Sequence, residues 1–309
     1  MTTFASYHAP VLAERVLELL DPRGNGLWLD GTVGGGGHAR LLLERCPLCR
    51  LLAVDLDPEA LEEAGRALAP WADRVRFVRA RFDAAASDLE VKDRGLDGVL
   101  LDLGVSSHQI DEPARGFTFR HGALLDMRMG DEGRTAADLL NELPAEELAR
   151  IFREYGEERR SRALAREIVR RRESEPFATS DHLVAALTRT LRRPATAQDK
   201  ARIFQALRIA VNGELDALER ALPELRDALN VGGVLAIIAY HSLEDRLVKH
   251  AFREWSRSCV CPPEFPMCRC RGGPLGETLT RRPLKASDEE VTENPRSRSA
   301  RLRAWRKAA

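Results

Sequence analysis

Short apolar runs alternate with amphipathic segments between residues 11 and 102 of the chain. The apolar runs are too short for buried helices and predict four strands, at residues 26–30, 50–55, 75–78 and 96–101. The segments between and before them carry apolar residues at helical spacing, at 11–20, 38–46 and 58–68. Apolar strands separated by helices are typical of a parallel sheet that is covered on both faces. The pattern therefore predicts a doubly wound α/β domain.

This alternation stops after residue 102, where a polar stretch and then only helical patterns follow. Two of these helices begin with capping-box-like sequences, at 135–138 and 196–199. Strand character returns at residues 234–240, a helix is expected from Ser242 to about Trp255, and residues 300–305 could form a last short strand. We therefore expect an all-helical domain, residues 106–215, inserted after the fourth strand of an α/β domain formed by residues 1–105 and 216–309.

A glycine-rich loop follows the first predicted strand. Gly34, Gly36 and Ala39 satisfy the Gly-x-Gly-x-x-Ala pattern of nucleotide-binding turns, in which glycines let the backbone approach a ligand. Asp55 ends the next strand, where an acid accepts hydrogen bonds from ribose hydroxyls. The pattern suits NAD, FAD or S-adenosylmethionine, which all contain adenosine. A tight turn without a ligand is the alternative.

The fourth predicted strand helps to distinguish between these candidate ligands. It ends at Asp102, beside the point where the strand order of such sheets reverses and ligands bind. The chain has no Tyr-x-x-x-Lys pair of the kind short-chain dehydrogenases use. A nucleotide-dependent oxidoreductase is therefore disfavoured.

Seven sequence blocks, in order along nearly the whole chain, carry a family resemblance. They are the glycine loop and residues 101–107, 125–129, 155–161, 204–212, 241–246 and 293–296. With these blocks the chain resembles the bacterial S-adenosylmethionine-dependent 16S rRNA (cytosine-N4)-methyltransferase family. The resemblance implies a Rossmann-like methyltransferase fold that transfers a methyl group to the N4 amine of a cytidine in the decoding region of the small subunit. A methyltransferase acting on another RNA or on a protein, and a non-catalytic RNA-binding assembly factor, are the alternatives.

The resemblance also implies which residues bind the cofactor, S-adenosylmethionine. Its motifs match this chain at seven positions: Gly36, Gly37, His38, Asp55, Phe82, Asp102 and Gln109. The chain departs from the family pattern at His108, where proline is expected. Without the resemblance, core packing would be an equal interpretation of Phe82, and a residue on a helix face the better one of His38.

The predicted catalytic residues are Asp102, Ser106 and His241. The exocyclic amine of cytosine is a poor nucleophile because its lone pair is delocalised into the ring, so methyl transfer depends largely on positioning. Acceptors near the amine hydrogens would localise that lone pair and receive a proton after attack. For His241 the alternative is a hydrogen-bonded structural histidine at a helix start.

Charge placement bears on an RNA partner more than total charge does. The chain has 48 basic and 48 acidic residues, yet residues 159–172 contain seven arginines against Glu167, and residues 296–309 contain no acid. Such clusters neutralise phosphates. The alternative for the first cluster is a solvated helix face with Glu158–Arg162 and Glu167–Arg171 pairs. Phe117 and Phe119 could stack on a splayed-out base or pack in the core of the helical domain.

Six cysteines and the start of the chain bear on its location. We find no export signal and no apolar run long enough to cross a membrane, which predicts a cytoplasmic protein. The thiols are then expected to be reduced or bound to metal rather than in disulfides. Cys259, Cys261, Cys268 and Cys270 could hold zinc, but their close spacing favours reduced thiols, so no metal site is assigned. A homodimer is compatible with the sequence.

Overall fold

The computed structural model describes residues 10–259, 261, 269–270 and 273–309. Contacts along the chain divide it into two compact units, one formed by residues 1–104 and 216–309 and the other by residues 105–215. Within the described part of the chain, no helix has the length and apolar character needed to cross a membrane.

A seven-stranded sheet forms the centre of the first unit. Its strands are β1 (Leu27–Asp30), β2 (Arg50–Asp55), β3 (Val75–Arg79), β4 (Leu96–Asp102), β5 (Leu229–Ala239), β6 (Gly276–Thr278) and β7 (Arg301–Lys307). The strand order is β3-β2-β1-β4-β5-β7-β6. The first five of these are parallel, whereas β7 runs antiparallel to both of its neighbours. This order confirms the predicted doubly wound fold and places its reversal between β1 and β4.

Thirteen α-helices are found among the described residues. They are α1 (Ala13–Leu20), α2 (Gly37–Arg45), α3 (Pro58–Ala67), α4 (Leu89–Arg94), α5 (Ser107–Asp111), α6 (Ala136–Glu142), α7 (Ala145–Glu154), α8 (Ser161–Arg172), α9 (Ser180–Leu191), α10 (Ala197–Asn212), α11 (Glu214–Ala228), α12 (Ser242–Trp255) and α13 (Asp288–Glu293). Short 3-10 helices lie at Ala69–Trp71, Phe82–Ser87, Pro113–Arg115 and Pro295–Ser299.

Helices cover both faces of the sheet because successive strand side chains point in opposite directions. On β2, Leu51 and Ala53 join a buried cluster with α1, α2 and α3. Leu52 and Val54 face the other side, in a cluster that includes residues of α4, α11 and α12. Both faces of the sheet are therefore buried, and only its edges and strand ends can form a binding site.

The expected last strand is present as β7, and it lies inside the sheet between β5 and β6. Its basic residues are engaged there. Arg301 and Arg303 pair with Asp245, and Arg306 pairs with Glu277. Of these side chains, Arg303 is buried against Asp245, so this part of the arginine-rich tail serves the fold, whereas the Arg306–Glu277 pair is exposed.

The second unit has a buried core of its own, made of side chains from α6 to α10. Both capping boxes expected from sequence are present. The Thr135 side chain accepts from the Asp138 backbone N–H and the Thr196 side chain from that of Asp199, while each aspartate reaches back to the N-cap backbone. These caps fix where α6 and α10 begin.

One expectation from the cysteines is wrong. Cys46 and Cys49 form a disulfide, although reduced or metal-bound thiols were expected. Cys46 ends α2 in an extended conformation, and the turn that follows brings the two Cα atoms to 5.5 Å, within the usual disulfide range. Spacing alone did not show this turn.

Candidate active site

Three aspartates end three neighbouring parallel strands at one edge of the sheet. Asp55 ends β2, Asp30 ends β1 and Asp102 ends β4. Tyr240 follows directly after β5, the next strand along. In sheets of this kind ligands bind at the carboxyl ends of the strands where the strand order reverses. Asp30 and Asp102 lie on the two strands that flank this reversal.

Asp55 ties the glycine loop to β2. Its Oδ2 accepts a hydrogen bond from the Gly34 backbone N–H at 2.9 Å, and its Oδ1 accepts one from the Asp57 N–H at 2.9 Å. Burial raises the pKa of Asp55, while these two N–H donors oppose the shift. The carboxylate thus fixes the conformation of the loop at the end of β2, where it could also accept hydrogen bonds from a ribose.

Gly36 lets the loop turn into α2. It has a φ of +83°, and a Cβ atom there would lie 3.3 Å from Leu68 Cγ and 3.4 Å from the Ala64 Cα. Any other residue would be strained and crowded against α3. Gly37, the first residue of α2, would place a Cβ atom 3.4 Å from Pro10. The close packing explains the glycines without a ligand. The Gly36 N–H donates to the Val33 carbonyl at 2.8 Å, whereas the Gly37 N–H at the helix start has no partner among the described residues.

Asp102 is held from two directions. Its backbone N–H donates to Thr32 Oγ1 at 2.7 Å, and its Oδ1 accepts a hydrogen bond from the Tyr240 hydroxyl at 2.9 Å. Burial and the neighbouring carboxylate of Asp102 raise the pKa of Tyr240 far above its usual value, so this hydroxyl stays a proton donor. Gly104, with a φ of +99°, turns the chain away from β4 beside the tyrosine ring.

His38 faces the other oxygen of the same carboxylate. Its Nε2 lies 3.4 Å from Asp102 Oδ2, and the histidine side chain is only 9 % exposed. This nitrogen is buried and makes no hydrogen bond to any described residue. Buried polar atoms normally have a partner. An unsatisfied nitrogen beside a carboxylate that is 23 % exposed fits a polar ligand at this strand edge.

Asp30 is a site residue that the sequence reasoning missed. It is buried, and its Oδ1 accepts from the Thr32 backbone N–H at 3.2 Å. Burial raises the pKa of Asp30 to about 7, while His38 opposes the shift. Its position at the end of an apolar strand, directly before the glycine loop, was the available signal.

His241 caps α12. Its Nδ1 accepts from the Glu244 backbone N–H at 3.3 Å, and its Nε2 lies 3.0 Å from Glu244 Oε1. Glu244 Oε2 in turn accepts from the backbone N–H of Tyr240 at 2.9 Å. Nδ1 therefore serves the first turn of its own helix, which favours the structural alternative. Nε2, like that of His38, is buried and makes no hydrogen bond to any described residue. The histidine reaches Asp102 only indirectly, through Glu244 and Tyr240.

Phe82 begins the 3-10 helix after β3 and packs against the buried cluster on one face of the sheet. Its Cβ would lie 3.1 Å from a Cβ atom on Gly31, so the glycine leaves room for this close approach. Core packing, the alternative from sequence, is therefore part of its role.

Ser106 and Gln109 lie in the second unit and cap α5 together. The Ser106 Oγ accepts from the Gln109 backbone N–H at 3.2 Å, and the Gln109 Oε1 accepts from the Ser106 backbone N–H at 2.9 Å. His108, the departure from the family pattern, is helical between them. The capping box forms with histidine at this position, so the loop does not require proline to start α5.

Three arginines, two on α8 and one just before it, are exposed where an anionic partner could bind. Arg159, Arg162 and Arg166 are exposed and spaced three and four residues apart, and they form no ion pair with any described residue. Glu167 instead pairs with Arg170 and Arg171, and these arginines lower the pKa of Glu167 to about 2.

Of the two pairs expected for a solvated face, Glu167–Arg171 is present. Glu158–Arg162 is absent among the described residues, because Glu158 contacts Arg202 at 3.4 Å. The two phenylalanines differ as well. Phe117 packs against the core of the helical unit, whereas Phe119 is 37 % exposed and contacts Phe204 edge to face. Phe119 is therefore the more exposed of the two rings, with Lys200 Nζ lying over it at 5.6 Å from the ring centroid.

The chain matches known proteins along almost its entire length. A model of the MraW methylase family matches residues 5–308. A protein named ribosomal RNA small subunit methyltransferase H from Gemmatimonas aurantiaca is 53% identical over 306 residues, which cover 98% of this chain and 96% of that protein. The protein of the same name from Heliobacterium modesticaldum is 50% identical and covers 97% of this chain and 98% of its own length. The chain therefore belongs to the MraW methylase family, which confirms the resemblance found in the sequence and S-adenosylmethionine as the cofactor.

Proposed function

We propose that the protein transfers a methyl group from S-adenosylmethionine to the N4 amine of a cytidine in the decoding region of 16S ribosomal RNA. The rRNA substrate class is supported by the names of relatives about half identical to the chain. The choice of amine and of nucleotide rests on the sequence resemblance. The observation that carries the chemistry is Asp102, a part-exposed carboxylate at the strand-order reversal whose oxygens face Tyr240 and His38.

The cofactor would lie along the strand ends from β2 to β4. We assign Asp55 to the ribose hydroxyls, and the Gly37 backbone N–H together with the close backbone approach at Gly36 to the methionine end, with His38 completing its hydrogen bonds there. Phe82 and Gln109 are proposed to line the remaining part of this site. S-adenosylmethionine would supply an electrophilic methyl group, whose bond to the sulfonium sulfur breaks as the new N–C bond forms, with S-adenosylhomocysteine as the leaving group.

Asp102 is proposed to act on the cytosine amine. A carboxylate oxygen accepts a hydrogen bond from the N–H of the amine, which localises the nitrogen lone pair, and takes the proton as the new N–C bond forms. The Tyr240 hydroxyl donates a hydrogen bond to Oδ1 and thereby orients the carboxylate. Ser106 is proposed as a second acceptor for the amine, and His241 as a positioning residue that fixes Tyr240 through Glu244.

The helical unit, residues 105–215, is proposed to recognise the RNA. Its exposed arginines at 159, 162 and 166 present three charges without an acidic partner among the described residues. Arginine binds phosphate bidentately and supplies affinity that does not depend on sequence. Because a target base must leave its stack to reach an active site, a single-stranded or junction cytidine is expected.

Mass analysis of the methylated nucleoside tests the proposal directly. Small ribosomal subunits from cells lacking the enzyme are incubated with the protein and labelled S-adenosylmethionine, and their RNA is digested to nucleosides. We expect label in N4-methylcytidine with wild-type protein and none with the D102A variant. A C5-methyl or ribose-methyl product, or label in ribosomal protein, would contradict the proposed reaction.

A further inference from the structure

Three cysteine sulfurs converge in the segment between α12 and β6. The Sγ atoms of Cys259, Cys261 and Cys270 all lie within 4.8 Å of one another. Those of Cys259 and Cys270 are 3.9 Å apart, although the two residues are eleven positions apart in sequence. Cys268 lies outside the described residues. The fold thus brings one thiol of the second Cys-x-Cys pair against both thiols of the first.

The Cys259–Cys270 distance matches what a zinc ion requires, and the third sulfur lies close enough to join the same site. Zinc binds thiolates at about 2.3 Å in a tetrahedral arrangement, which places neighbouring sulfurs about 3.8 Å apart. The 3.9 Å separation of Cys259 and Cys270 is close to this value. The backbone N–H of Arg269 also donates to Cys261 Sγ at 3.3 Å, and hydrogen bonds of this kind orient the sulfur ligands of metal sites.

Other states of the thiols account less well for the arrangement. A disulfide would use two of the three sulfurs and leave the third beside it without a role. Reduced thiols need no convergence from both ends of the segment. Spacing alone favoured reduced thiols because zinc ligands usually have two to four residues between them, but spacing does not show which thiols the chain folds together.

We propose that Cys259, Cys261 and Cys270 bind a structural Zn²⁺ ion, whose fourth position is filled by one further donor. The two ends of the segment are already joined, because the Leu275 N–H donates to the Trp255 carbonyl at 2.9 Å. This site is independent of the methyl-transfer site.

Metal analysis of the full-length protein tests the site. The chain is purified without a metal-affinity step and dialysed against EDTA, and zinc is measured by mass spectrometry. We expect about one zinc per chain in the wild type and less than about a tenth of that in a C259S/C261S/C270S variant. A C46S/C49S variant, which removes the other pair of cysteines, is the matched control and is expected to keep its zinc.

Cobalt substitution gives a second measurement, the visible absorption of the bound metal, which does not depend on the stability of the protein. Substitution of the metal with Co²⁺ should produce thiolate-to-metal charge-transfer absorption and the intense visible bands of tetrahedral cobalt, both absent in the triple variant. A folded wild-type protein that neither contains zinc nor takes up cobalt would overturn the proposal. A triple variant that keeps its zinc, or a Cys259–Cys270 disulfide in protein prepared without oxygen, would do the same.

Discussion

The hydroxyl of Tyr240 donates a hydrogen bond to Oδ1 of Asp102 at 2.9 Å and joins the ends of two neighbouring parallel strands. The two residues are 138 positions apart in sequence, with the whole helical unit between them. This contact gives the part-exposed carboxylate a fixed orientation at the point where the strand order reverses.

Removal of the tyrosine hydroxyl should slow turnover. Because a hydrogen bond to a charged group contributes about 1.5–3 kcal/mol, we expect Y240F to lower kcat by about 10- to 100-fold. Initial rates of methyl transfer and the affinity for S-adenosylhomocysteine should be measured together, and the affinity is expected to change little. Y155F, whose hydroxyl interacts with Arg150 in the helical unit, is the control. Wild-type turnover in Y240F would show that the contact does not position Asp102.

Substitutions at Asp102 and His241 should separate the two predicted proton acceptors. D102N keeps the size of the side chain but cannot take the amine proton, so we expect methyl transfer to fall at least about 100-fold. H241N keeps a good N-cap for α12 and is expected to stay within several-fold of wild type. Single-turnover rates decide the matter, with circular dichroism to check the fold. If H241N loses as much activity as D102N, the histidine exchanges protons itself.

Ligand selectivity should follow the glycine loop and Asp55. S-adenosylhomocysteine at about 100 times its Kd should stabilise the protein by about 2.7 kcal/mol and raise its Tm by several degrees. NAD should leave the Tm unchanged. D55N should weaken the binding of S-adenosylhomocysteine, whereas D93N, on an exposed face of α4, should not. Protection by NAD would revive the oxidoreductase alternative.

Asp30 should make stability depend on pH. Burial raises its pKa from 3.8 to about 7, so between these values the folded chain keeps a proton that the unfolded chain releases. Stability should therefore fall as pH rises from about 4 to about 7. D30N should lose this slope and be more stable than wild type at pH 8, on the order of a few kcal/mol. Urea unfolding across this range measures it, and parallel slopes for wild type and D30N would contradict the assignment.

The exposed arginines of the helical unit should set the salt dependence of RNA binding. Replacing Arg159, Arg162 and Arg166 with alanine removes three phosphate contacts. The negative slope of log K against log[salt] should become shallower by about 2–3, since each phosphate contact contributes about 0.7–0.9 to its magnitude. The control R134A/R150A/R153A removes three arginines that pair with glutamates in the same unit. Equal slopes for both variants would exclude this face as the RNA contact.

The strands β1, β2 and β4 could be predicted because they are buried on both faces and so appear as continuous apolar runs, whereas the short edge strand β6 has no such run and was not predicted. The ends of β2 and β4 at Asp55 and Asp102 matched the prediction for the same reason. The strand at 234–240 was predicted too short at its start, since the residues around Gly232 and Gly233 extend β5 back to Leu229. Glycines weaken a strand pattern without ending the strand.

The amino-acid sequence by itself determined the α/β class, the place of the helical segment and the aspartates at the strand ends, because periodicity and strand termini are local properties of the chain. Only the tertiary structure decided which distant groups meet. It placed Tyr240 on Asp102 and engaged Arg301 and Arg303 with Asp245. These contacts depend on strand order and on long-range packing, which no local pattern encodes.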